Sequence, residues 1–368
     1  MKQHLLVGVA AIFLAGNVAE ASVGGASRAP NVIVILADDL GYADLGCQGS
    51  KDVKAPHIDS LAANGVRFTD GYVTSPQCGP SRAGLLTGRY QNRFGFESNE
   101  FARRPAIPLS ERLISDRMKA AGYATGYFGK WGVGHPTASG PEYVPPGRGF
   151  DETYWNSDGN IMFGERVTEP GRRVYRDHDL VEMPYYSTDA FGREAVEFIL
   201  RHKDEPFFLV ASFIPPHVPM EAKEEDLARF PDAADPLRRT MLAMVACMDD
   251  NIGRMLETLR KEKLEEDTLI FFLSDNGGPT KQNASRNDPF RGFKGDVLEG
   301  GIRVPFIIQW KGKLPAGTIY DEPVISLDVL PTTLAAVGAD IQPEWELDGV
   351  NLLPFLSGKN EETPHEEL

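Results

Sequence analysis

Five short apolar runs recur along the chain. The first is Asn31–Ala37, in which every residue after the asparagine is apolar. Continuous runs of this kind are typical of strands that are buried on both faces of a parallel sheet. The other four runs cover residues 123–128, 207–213, 268–273 and 304–310. The pattern therefore predicts five central strands.

Helical periodicity fills the intervals between these runs. The helical patterns cover residues 58–63, 109–121, 188–202, 236–261 and 327–337. In the second pattern, Ser110 and Glu111 predict the start of a helix and Gly122 predicts its end. Alternating strands and helices predict an α/β fold, with a large, mostly parallel sheet and helices on both of its faces. In such sheets the functional residues gather at the carboxyl ends of the strands.

The chain of 368 residues suits one large α/β domain. The stretch 136–186 is rich in Gly, Pro, Tyr and charged residues and has no clear period. A connection of this length without secondary structure of its own is uncommon. We therefore expect this stretch to be a functional insertion or a rim loop.

The amino terminus has the pattern of an export signal. A short apolar run, residues 5–15, follows Lys2, and a small-x-small cleavage pattern ends at Ala21. These features predict a signal peptide over residues 1–21, a linker over 22–30 and a periplasmic or secreted mature protein. No other stretch is long and apolar enough to cross a bilayer, so we expect no membrane association after cleavage.

Charge and cysteine content narrow the function classes. The formal net charge is −15, which excludes a general nucleic-acid binder because such a protein needs a basic face. An anionic substrate would have to be held by a few local cations. The three cysteines, Cys47, Cys78 and Cys247, do not form a disulfide scaffold. One bridge between Cys47 and Cys247 is conceivable, but two buried free thiols are the simpler expectation.

Two pairs of oxygen-bearing side chains follow predicted strands. Asp38 and Asp39 come directly after the first strand, and Asp275 and Asn276 follow the strand over 268–273. Adjacent carboxylates repel each other unless a cation lies between them. Carboxylate and amide oxygens are ligands for hard cations such as Ca²⁺ and Mg²⁺. Strand ends of one parallel sheet can converge, so the two pairs together predict a metal site.

The most specific motif begins at Cys78. The stretch from Cys78 to Arg89 reads CGPSRAGLLTGR. It resembles the signature Cys-x-Pro-Ser-Arg, followed by Leu-Thr-Gly, of the formylglycine-dependent (type I) sulfatases in the alkaline-phosphatase superfamily. Pro80 suits the first turn of a helix, whose amides can face an anion. The resemblance implies an alkaline-phosphatase-like fold and a sulfuric ester hydrolase.

In that family the cysteine is oxidised by a formylglycine-generating maturase and then hydrated. One oxygen of the hydrate attacks sulfur and forms a covalent intermediate. The other oxygen then expels sulfate as the hydrate collapses to the aldehyde. The resemblance also implies a metal, most often Ca²⁺ with Mg²⁺ possible. Its ligands would be the hydrated residue 78 and four side chains, Asp38, Asp39, Asp275 and Asn276.

Further segments match the family in the same order along the chain. By this resemblance Arg82 orients the nucleophile, Lys130 in Gly-Lys-Trp and Lys294 in Gly-Phe-Lys-Gly bind sulfate oxygens, and His217 in Pro-His-Val-Pro protonates the leaving group. An imidazole suits proton transfer near neutral pH. The spacing after Lys130 resembles the arylsulfatase A and N-acetylgalactosamine-6-sulfatase branch, which favours a sulfated carbohydrate over an aryl sulfate.

One position departs from the family pattern. The family usually continues Gly-Lys-Trp-His, but here Gly132 follows Trp131. Glycine cannot replace a histidine that hydrogen-bonds the hydrate. His135, three residues further on, is a candidate to act in its place. One alternative function is therefore binding of a sulfated glycan with impaired turnover. A second is phosphoester hydrolysis at the same site, because relatives with the same nucleophile catalyse that reaction.

The carboxyl terminus also differs from the family. We expect the catalytic domain to cover residues 31–340. Relatives carry a smaller C-terminal subdomain after a Pro-His-Glu-x-Leu-like segment, which the chain reaches at Pro364. Residues 341–368 are therefore expected to begin an incomplete C-terminal subdomain.

Overall fold

The computed structural model describes residues 28–99, 106–163 and 173–368. The expected signal peptide over 1–21, and residues 22–27 of the expected linker, lie outside the described residues. Among the helices of the described ranges, none combines the length and apolar character needed to cross a membrane.

Within these ranges, the chain forms a ten-stranded mixed sheet and a separate pair of short strands. The strands are β1 Asn31–Ala37, β2 Val66–Phe68, β3 Gly71–Tyr72, β4 Ala124–Lys130, β5 Glu152–Asn156, β6 Val174–Arg176, β7 Asp179–Val181, β8 Phe207–Ser212, β9 Thr268–Ser274, β10 Phe306–Trp310, β11 Thr318–Tyr320 and β12 Val324–Ile325. The sheet order is β11-β2-β10-β9-β1-β8-β4-β5-β6-β7, and β3 pairs with β12.

Helices cover both faces of the sheet. They are α1 Pro56–Ala63, α2 Cys78–Thr87, α3 Ile114–Ala120, α4 Ser187–Arg201, α5 Glu224–Leu227, α6 Pro236–Lys261, α7 Glu299–Ile302, α8 Val329–Ala336 and α9 Leu353–Leu356. Side chains of β1 alternate between two cores. Ile33 and Ile35 belong to the core that includes α4 and α6, whereas Val32 and Val34 belong to the core that includes α2 and α8. This double burial explains why the β1 sequence is continuously apolar.

The predicted α/β class is confirmed, with a parallel centre and antiparallel flanks. β9, β1, β8, β4 and β5 are neighbours in parallel pairs. β10 pairs antiparallel with β9 and β2, and β6 pairs antiparallel with β5. All five predicted strands are present, with bounds that shift by a few residues.

Two sequence-based predictions need correction. The helix expected from residue 109 starts at Ile114, because Asp116 accepts a hydrogen bond from the backbone N–H of Leu113 at 2.9 Å and so caps the helix there. Ser110 and Glu111 lie in the preceding turn. The stretch 136–186 is not only a rim loop, because it contains β5, β6 and β7, the last three strands at one end of the sheet.

Cys47 and Cys247 are separate free thiols, so the conceivable disulfide is absent. Cys247 is buried in α6, and Cys47 is partly exposed. Neither thiol lies in the cavity that contains Cys78. These two cysteines therefore belong to the scaffold.

The sheet places several predicted site residues at one edge. Ala37 at the end of β1 is in register with Ser274 of β9, and Leu36 is in register with Ser212 of β8. Ser212 is also in register with Gly129 of β4. Because these four neighbouring strands are parallel, the residues that follow or end them emerge side by side.

Candidate active site

Cys78 is the first residue of α2. Gln77 before it has an extended backbone, so the chain enters the helix at the cysteine. Gly88 ends the helix in a left-handed conformation, with φ of +68°. The sulfur of Cys78 lies 3.4 Å from Oδ1 of Asp38. Burial raises the pKa of the Cys78 thiol to about 12, so the unmodified thiol is neutral at physiological pH and is a poor nucleophile.

The predicted acidic pairs converge next to this cysteine. Ligand atoms of Asp38, Asp39, Cys78 and Asp275 all lie within 4.8 Å of one another, and all four residues are buried. Asp39 has a positive φ of 69°, and its N–H donates to Oδ1 of Asp275 at 3.2 Å. Asn276 Nδ2 donates to Oδ1 of Asp39 at 2.7 Å. Residues 236 positions apart in sequence thus form one cluster.

The chemistry of this cluster fits a divalent cation. Oδ1 of Asn276 is buried and has no hydrogen-bond partner among the described residues. Leaving a buried acceptor unpaired costs about 1–3 kcal/mol, which a metal–oxygen contact would offset. Three buried carboxylates with an amide oxygen form the kind of oxygen-rich donor set that hard cations bind.

Two lysines neutralise the cluster from opposite directions. Lys130 Nζ lies 2.5 Å from Oδ2 of Asp38, and Lys294 Nζ lies 2.7 Å from Oδ1 of Asp39. Burial alone would raise the pKa of Asp38, but the surrounding cations, Lys130 foremost, hold it below its ordinary value. In contrast, burial and the charge of Asp38 raise the pKa of Asp275 to about 6.

Arg82 joins the separate strands of the site. It lies one turn after Cys78 on α2 and is only 1% exposed. Its Nε donates to Oδ2 of Asp275 at 2.8 Å. One terminal nitrogen donates to Oγ of Ser212 at 2.6 Å and to the carbonyl of Lys130 at 2.9 Å. The guanidinium therefore contacts β4, β8 and the loop after β9 at once.

His217 lies in the loop after β8. Its Nδ1 is 2.6 Å from the carbonyl oxygen of Val218, so Nδ1–H donates to that carbonyl and Nε2 is the atom that can exchange a proton. Nε2 lies 3.8 Å from Oδ2 of Asp39. Burial lowers the pKa of His217, although the charge of Asp38 opposes this effect.

Gly132 and His135 occupy different parts of the site. Gly132 has a φ of +77°, and a Cβ atom there would lie 3.2 Å from Cδ of Arg82. His135 Nδ1 is 3.0 Å from Oγ1 of Thr137 and also accepts from the N–H groups of Thr137 and Ala138. The neutral ring therefore carries its proton on Nε2. His135 lines the same cavity as Cys78, but its ring is anchored to its own loop.

A cavity of about 270 Å³ opens above the cluster. It is lined by Cys78, Lys130, His217 and Lys294 together with residues that the sequence patterns did not indicate, namely Phe96, Asn99, Ser157, Asp158 and Asn160. Asn99 Oδ1 accepts the N–H of Gly79 at 2.9 Å, and the N–H of Asn99 donates to Gln77 Oε1 at 3.0 Å. Asn99 therefore connects the residues on either side of Cys78. A single Asn in a loop has no local signal that would have revealed this contact.

Comparisons with known proteins agree with this arrangement. A family model described as Sulfatase matches residues 30–339. N-acetylgalactosamine-6-sulfatase of Sus scrofa is 34% identical over 96% of this chain and 71% of the relative. Arylsulfatase D of Homo sapiens is 29% identical over 92% of this chain and 70% of the relative. The crystal structure of Ps i-CgsB in complex with k-i-k-neocarrahexaose superposes with a TM-score of 0.87 at 37% identity, covering 92% of this chain and 78% of that one.

The chain belongs to the sulfatase family, within the alkaline-phosphatase superfamily of folds. It is an enzyme of the class that hydrolyses sulfuric esters. The family generally works through a formylglycine and a divalent metal, and the clustered carboxylates are candidate ligands for such an ion.

Proposed function

We propose that this sulfatase removes sulfate from a sulfated carbohydrate. The observation that carries this proposal is the convergence of Cys78, Lys130 and Lys294 on one cavity of about 270 Å³. Two ammonium groups suit the outer oxygens of a sulfate ester. The amides of Asn99 and Asn160 in the wall suit the hydroxyl groups of a sugar.

Two relatives support a carbohydrate rather than an aryl substrate. The pig relative is named for the 6-sulfate of N-acetylgalactosamine. The related Ps i-CgsB structure contains a neocarrahexaose.

For the metal we propose Ca²⁺, with Mg²⁺ as the alternative. Asp38, Asp39, Asp275 and Asn276 would hold it together with residue 78. Ca²⁺ tolerates an irregular set of carboxylate and amide oxygens, whereas Mg²⁺ demands a near-octahedral one. A bound cation would polarise a sulfate oxygen and so favour attack at sulfur.

For the nucleophile we propose a hydrated formylglycine at position 78, which would supply one hydroxyl to attack sulfur and a second to release sulfate. Lys130 and Lys294 would hold sulfate oxygens and stabilise the charge that develops on them. Arg82 would keep residue 78 aligned, because its guanidinium contacts Asp38 and Asp275, whose ligand atoms lie within 4.8 Å of the Cys78 sulfur.

His217 is the proposed acid for the leaving alkoxide. Its Nδ1–H is committed to Val218, so the ring would first take a second proton on Nε2 and then, as the imidazolium, give that proton to the alkoxide. Nε2 is the atom that faces the acidic cluster. His135 is proposed to contact substrate as a hydrogen-bond donor, because its Nδ1 already accepts from its own loop. Gly132 leaves no side chain in the position where the family usually has a histidine.

The same proposal includes export and maturation. Residues 1–21 would direct the chain to the periplasm or the outside of the cell, and a formylglycine-generating maturase would oxidise Cys78. Residues 31–340 would form the catalytic domain, with 22–30 as a linker and 341–368 as the start of a C-terminal subdomain.

A substrate panel tests the proposed function. Protein produced together with a maturase would be assayed for release of inorganic sulfate from sulfated mono- and oligosaccharides and from 4-nitrophenyl sulfate. Mass spectrometry of the peptide that contains residue 78 measures how much formylglycine is present. The matched control is Cys78→Ala, which has no precursor for the nucleophile.

We expect sulfate release from at least one saccharide, with a higher kcat/KM than for the aryl ester, and no release by Cys78→Ala. Fully converted protein that releases no sulfate from any saccharide would contradict the proposal. Faster release of phosphate from 4-nitrophenyl phosphate would favour the phosphoester alternative instead.

A further inference from the structure

A second cavity lies beside the amino-terminal end of α6. It has a volume of about 650 Å³ and shares no lining residue with the catalytic cavity. We call it the flanking cavity; its walls come from residues 51–54, 229–242 and 284–286. Because α6 connects the parallel strands β8 and β9, its first turn lies at the carboxyl edge of the sheet. Both cavities therefore open on the same edge of the molecule.

The flanking cavity has more basic than acidic lining residues, unlike the whole chain. The chain has 53 acidic and 38 basic side chains. The cavity instead has three acidic residues, Asp52, Asp232 and Asp235, against five basic residues. The basic residues are Lys51, Lys54, Arg229, Arg238 and Arg286. Two of these cations, Arg229 and Arg238, pair with acidic residues that lie outside the lining. The other three are the cations that an anionic ligand could contact.

Two of the five cations are engaged in the wall. Arg238 is 5% exposed and donates to Asp44 at 2.6 Å and to Asp52 at 2.9 Å. Arg229 pairs with Asp250 at 2.7 Å. These ion pairs keep the cavity rigid and neutralise much of the charge of Asp52.

The other three cations are exposed to solvent. Lys51 and Lys54 are exposed residues, and the side chain of Arg286 is 50% exposed, with one contact to Asp52 at 3.2 Å. Lys54 Nζ lies 5.1 Å from the centre of the Phe230 ring. Phe230 and Leu242 are only 5% and 2% exposed, so Pro231 is the apolar residue of this group that is exposed. Lys54 Nζ also donates to the carbonyl of Arg229 at 3.1 Å. The lining therefore offers exposed cations next to a small apolar surface.

One loop connects the flanking cavity to the catalytic site. The N–H of Arg286 donates to Asp44 at 2.8 Å, and Asn283 Nδ2 donates to the carbonyl of Asp39 at 3.2 Å. Lys294, further along the same loop, lines the catalytic cavity. A ligand that occupies the flanking cavity would thus lie against the segment that supports the acidic cluster.

We propose that the flanking cavity binds a second anionic unit of a saccharide chain, carrying a sulfate ester or a carboxylate. The exposed lysines and Arg286 would hold the oxyanion, and the exposed Pro231 would contact the C–H face of a sugar ring. Its volume lies within the usual range for ligand sites. This inference rests on the proposed carbohydrate substrate, because it extends recognition along the same chain.

Direct binding tests the flanking cavity without turnover. In full-length Cys78→Ala protein, calorimetry would compare a sulfated carrageenan hexasaccharide, its desulfated counterpart and inorganic sulfate. The test variant adds Lys51→Ala and Lys54→Ala. The matched control adds Lys313→Ala and Lys359→Ala, which remove the same charge at exposed positions outside both cavities.

We expect the test variant to bind the sulfated hexasaccharide roughly tenfold more weakly, as two lost surface contacts of up to about 1 kcal/mol each allow. The control variant should bind like the parent protein, and the desulfated hexasaccharide should bind weakly to all three. If the test and control variants lose the same affinity for the sulfated hexasaccharide, or if neither loses any, the proposal is wrong. Inorganic sulfate that binds as tightly as the hexasaccharide would also overturn it, since the cavity would then take a free anion.

Turnover separates this inference from the proposed function. The turnover experiment uses protein without the Cys78→Ala substitution, in which the maturase has converted Cys78. In that protein, the Lys51→Ala/Lys54→Ala substitutions should raise KM for the hexasaccharide and leave kcat/KM for a monosaccharide sulfate unchanged. A chain that releases no sulfate from any saccharide refutes the proposed function, whereas an unaltered hexasaccharide affinity in the binding experiment refutes only the flanking cavity.

Discussion

At the scale of single residues, Arg82 has contacts that no other cation could reproduce. Its planar guanidinium donates in two directions, to Asp275 and to the Ser212–Lys130 pair. Lysine carries the same charge as a single point and cannot form this fork. The position is fully buried, so water cannot replace the missing donors.

We therefore predict that Arg82→Lys lowers kcat/KM for a sulfate ester by about 10²-fold, since small misplacements at a reacting centre have effects of that size. The measurement is steady-state kinetics on protein with equal formylglycine content. Arg89→Lys is the matched control, because Arg89 pairs with Glu111 and Glu346 near the surface. Equal losses in both variants would mean that the effect comes from general disturbance of this region.

Gly132 is the second residue with a specific expectation. Any side chain there would be strained by the φ of +77°, and its Cβ would lie 3.2 Å from Cδ of Arg82, so Arg82 would have to shift. We predict that Gly132→His does not raise kcat, although the family usually has histidine there, and that it lowers Tm by a few degrees. Gly132→Ala should show most of the loss in Tm, because a Cβ at positive φ costs roughly 1 kcal/mol. Thermal unfolding and kinetics of both variants test this, and a faster histidine variant would refute it.

At the scale of elements, α1 depends on a cap from a distant helix. The carboxylate of Asp249 in α6 accepts the N–H of Ile58 at 2.7 Å and that of His57 at 3.2 Å. These are N–H groups that the first turn of a helix leaves unpaired. The carboxylate also lies at the positive end of the helix dipole. The contact thus joins two helices that pack on the same face of the sheet.

We predict that Asp249→Ala lowers the free energy of unfolding by about 1–2 kcal/mol, and that Asp249→Asn has a smaller effect because it keeps an acceptor. Asp235→Asn is the control, since Asp235 caps its own helix through Leu237 N–H at an exposed position. Urea unfolding measures all three variants. An alanine variant as stable as the parent protein would show that the cap contributes nothing.

The same carboxylate predicts a pH dependence. Burial raises the pKa of Asp249 to about 6, above its ordinary value of 3.8. The folded state therefore holds the proton more tightly, so the contribution of Asp249 to stability falls as pH rises from 3.8 to about 6. We expect the stability of the parent protein relative to Asp249→Asn to be greater near pH 4 than near pH 7. Urea unfolding at both pH values tests this sign, and the opposite trend would contradict it.

At the scale of the whole molecule, the acidic cluster links metal binding to stability. Asp38, Asp39 and Asp275 bring three buried carboxylates together from β1 and β9. A cation that binds only the folded protein stabilises it by about 2.7 kcal/mol at one hundred times its Kd. We predict that Ca²⁺ raises Tm, that a chelator reverses the change, and that Asp275→Ala abolishes the response. Calorimetric scans test this, with the exposed Asp340→Asn expected to respond like the parent protein.

Much of the molecule could be predicted from local patterns. The five central strands and most helix positions follow from the periodicity of apolar residues, because that periodicity reflects burial on one or two faces. The boundaries were less predictable. The helix expected at residue 109 begins at Ile114, since its start depends on the Asp116 cap. The strands β5 to β7 were missed because they are short and contain polar or charged residues, so none of them forms a continuous apolar run.

The residues of the candidate site likewise fall into those that the sequence indicates and those that only the structure reveals. The motif that starts at Cys78 and the acidic residues after β1 and β9 are visible in the sequence, because their chemistry is unusual at those positions. The contacts of Asn99 and Ser212 are not visible, because each is an ordinary polar residue until folding brings it to α2. The orientation of the His135 ring is also not visible in the sequence, because it depends on a hydrogen bond from its own loop to Nδ1.

The amino-acid sequence by itself determined the fold class, the order of the strands along the chain and the types of side chain available for chemistry, since these depend on neighbours within a few residues. Only the tertiary structure decided which of those side chains meet. Asp39 and Asp275 are separated by 236 positions and lie in hydrogen-bond contact. The pairing of β1 with β9 creates that contact, and no local pattern records the distance between residues on different strands.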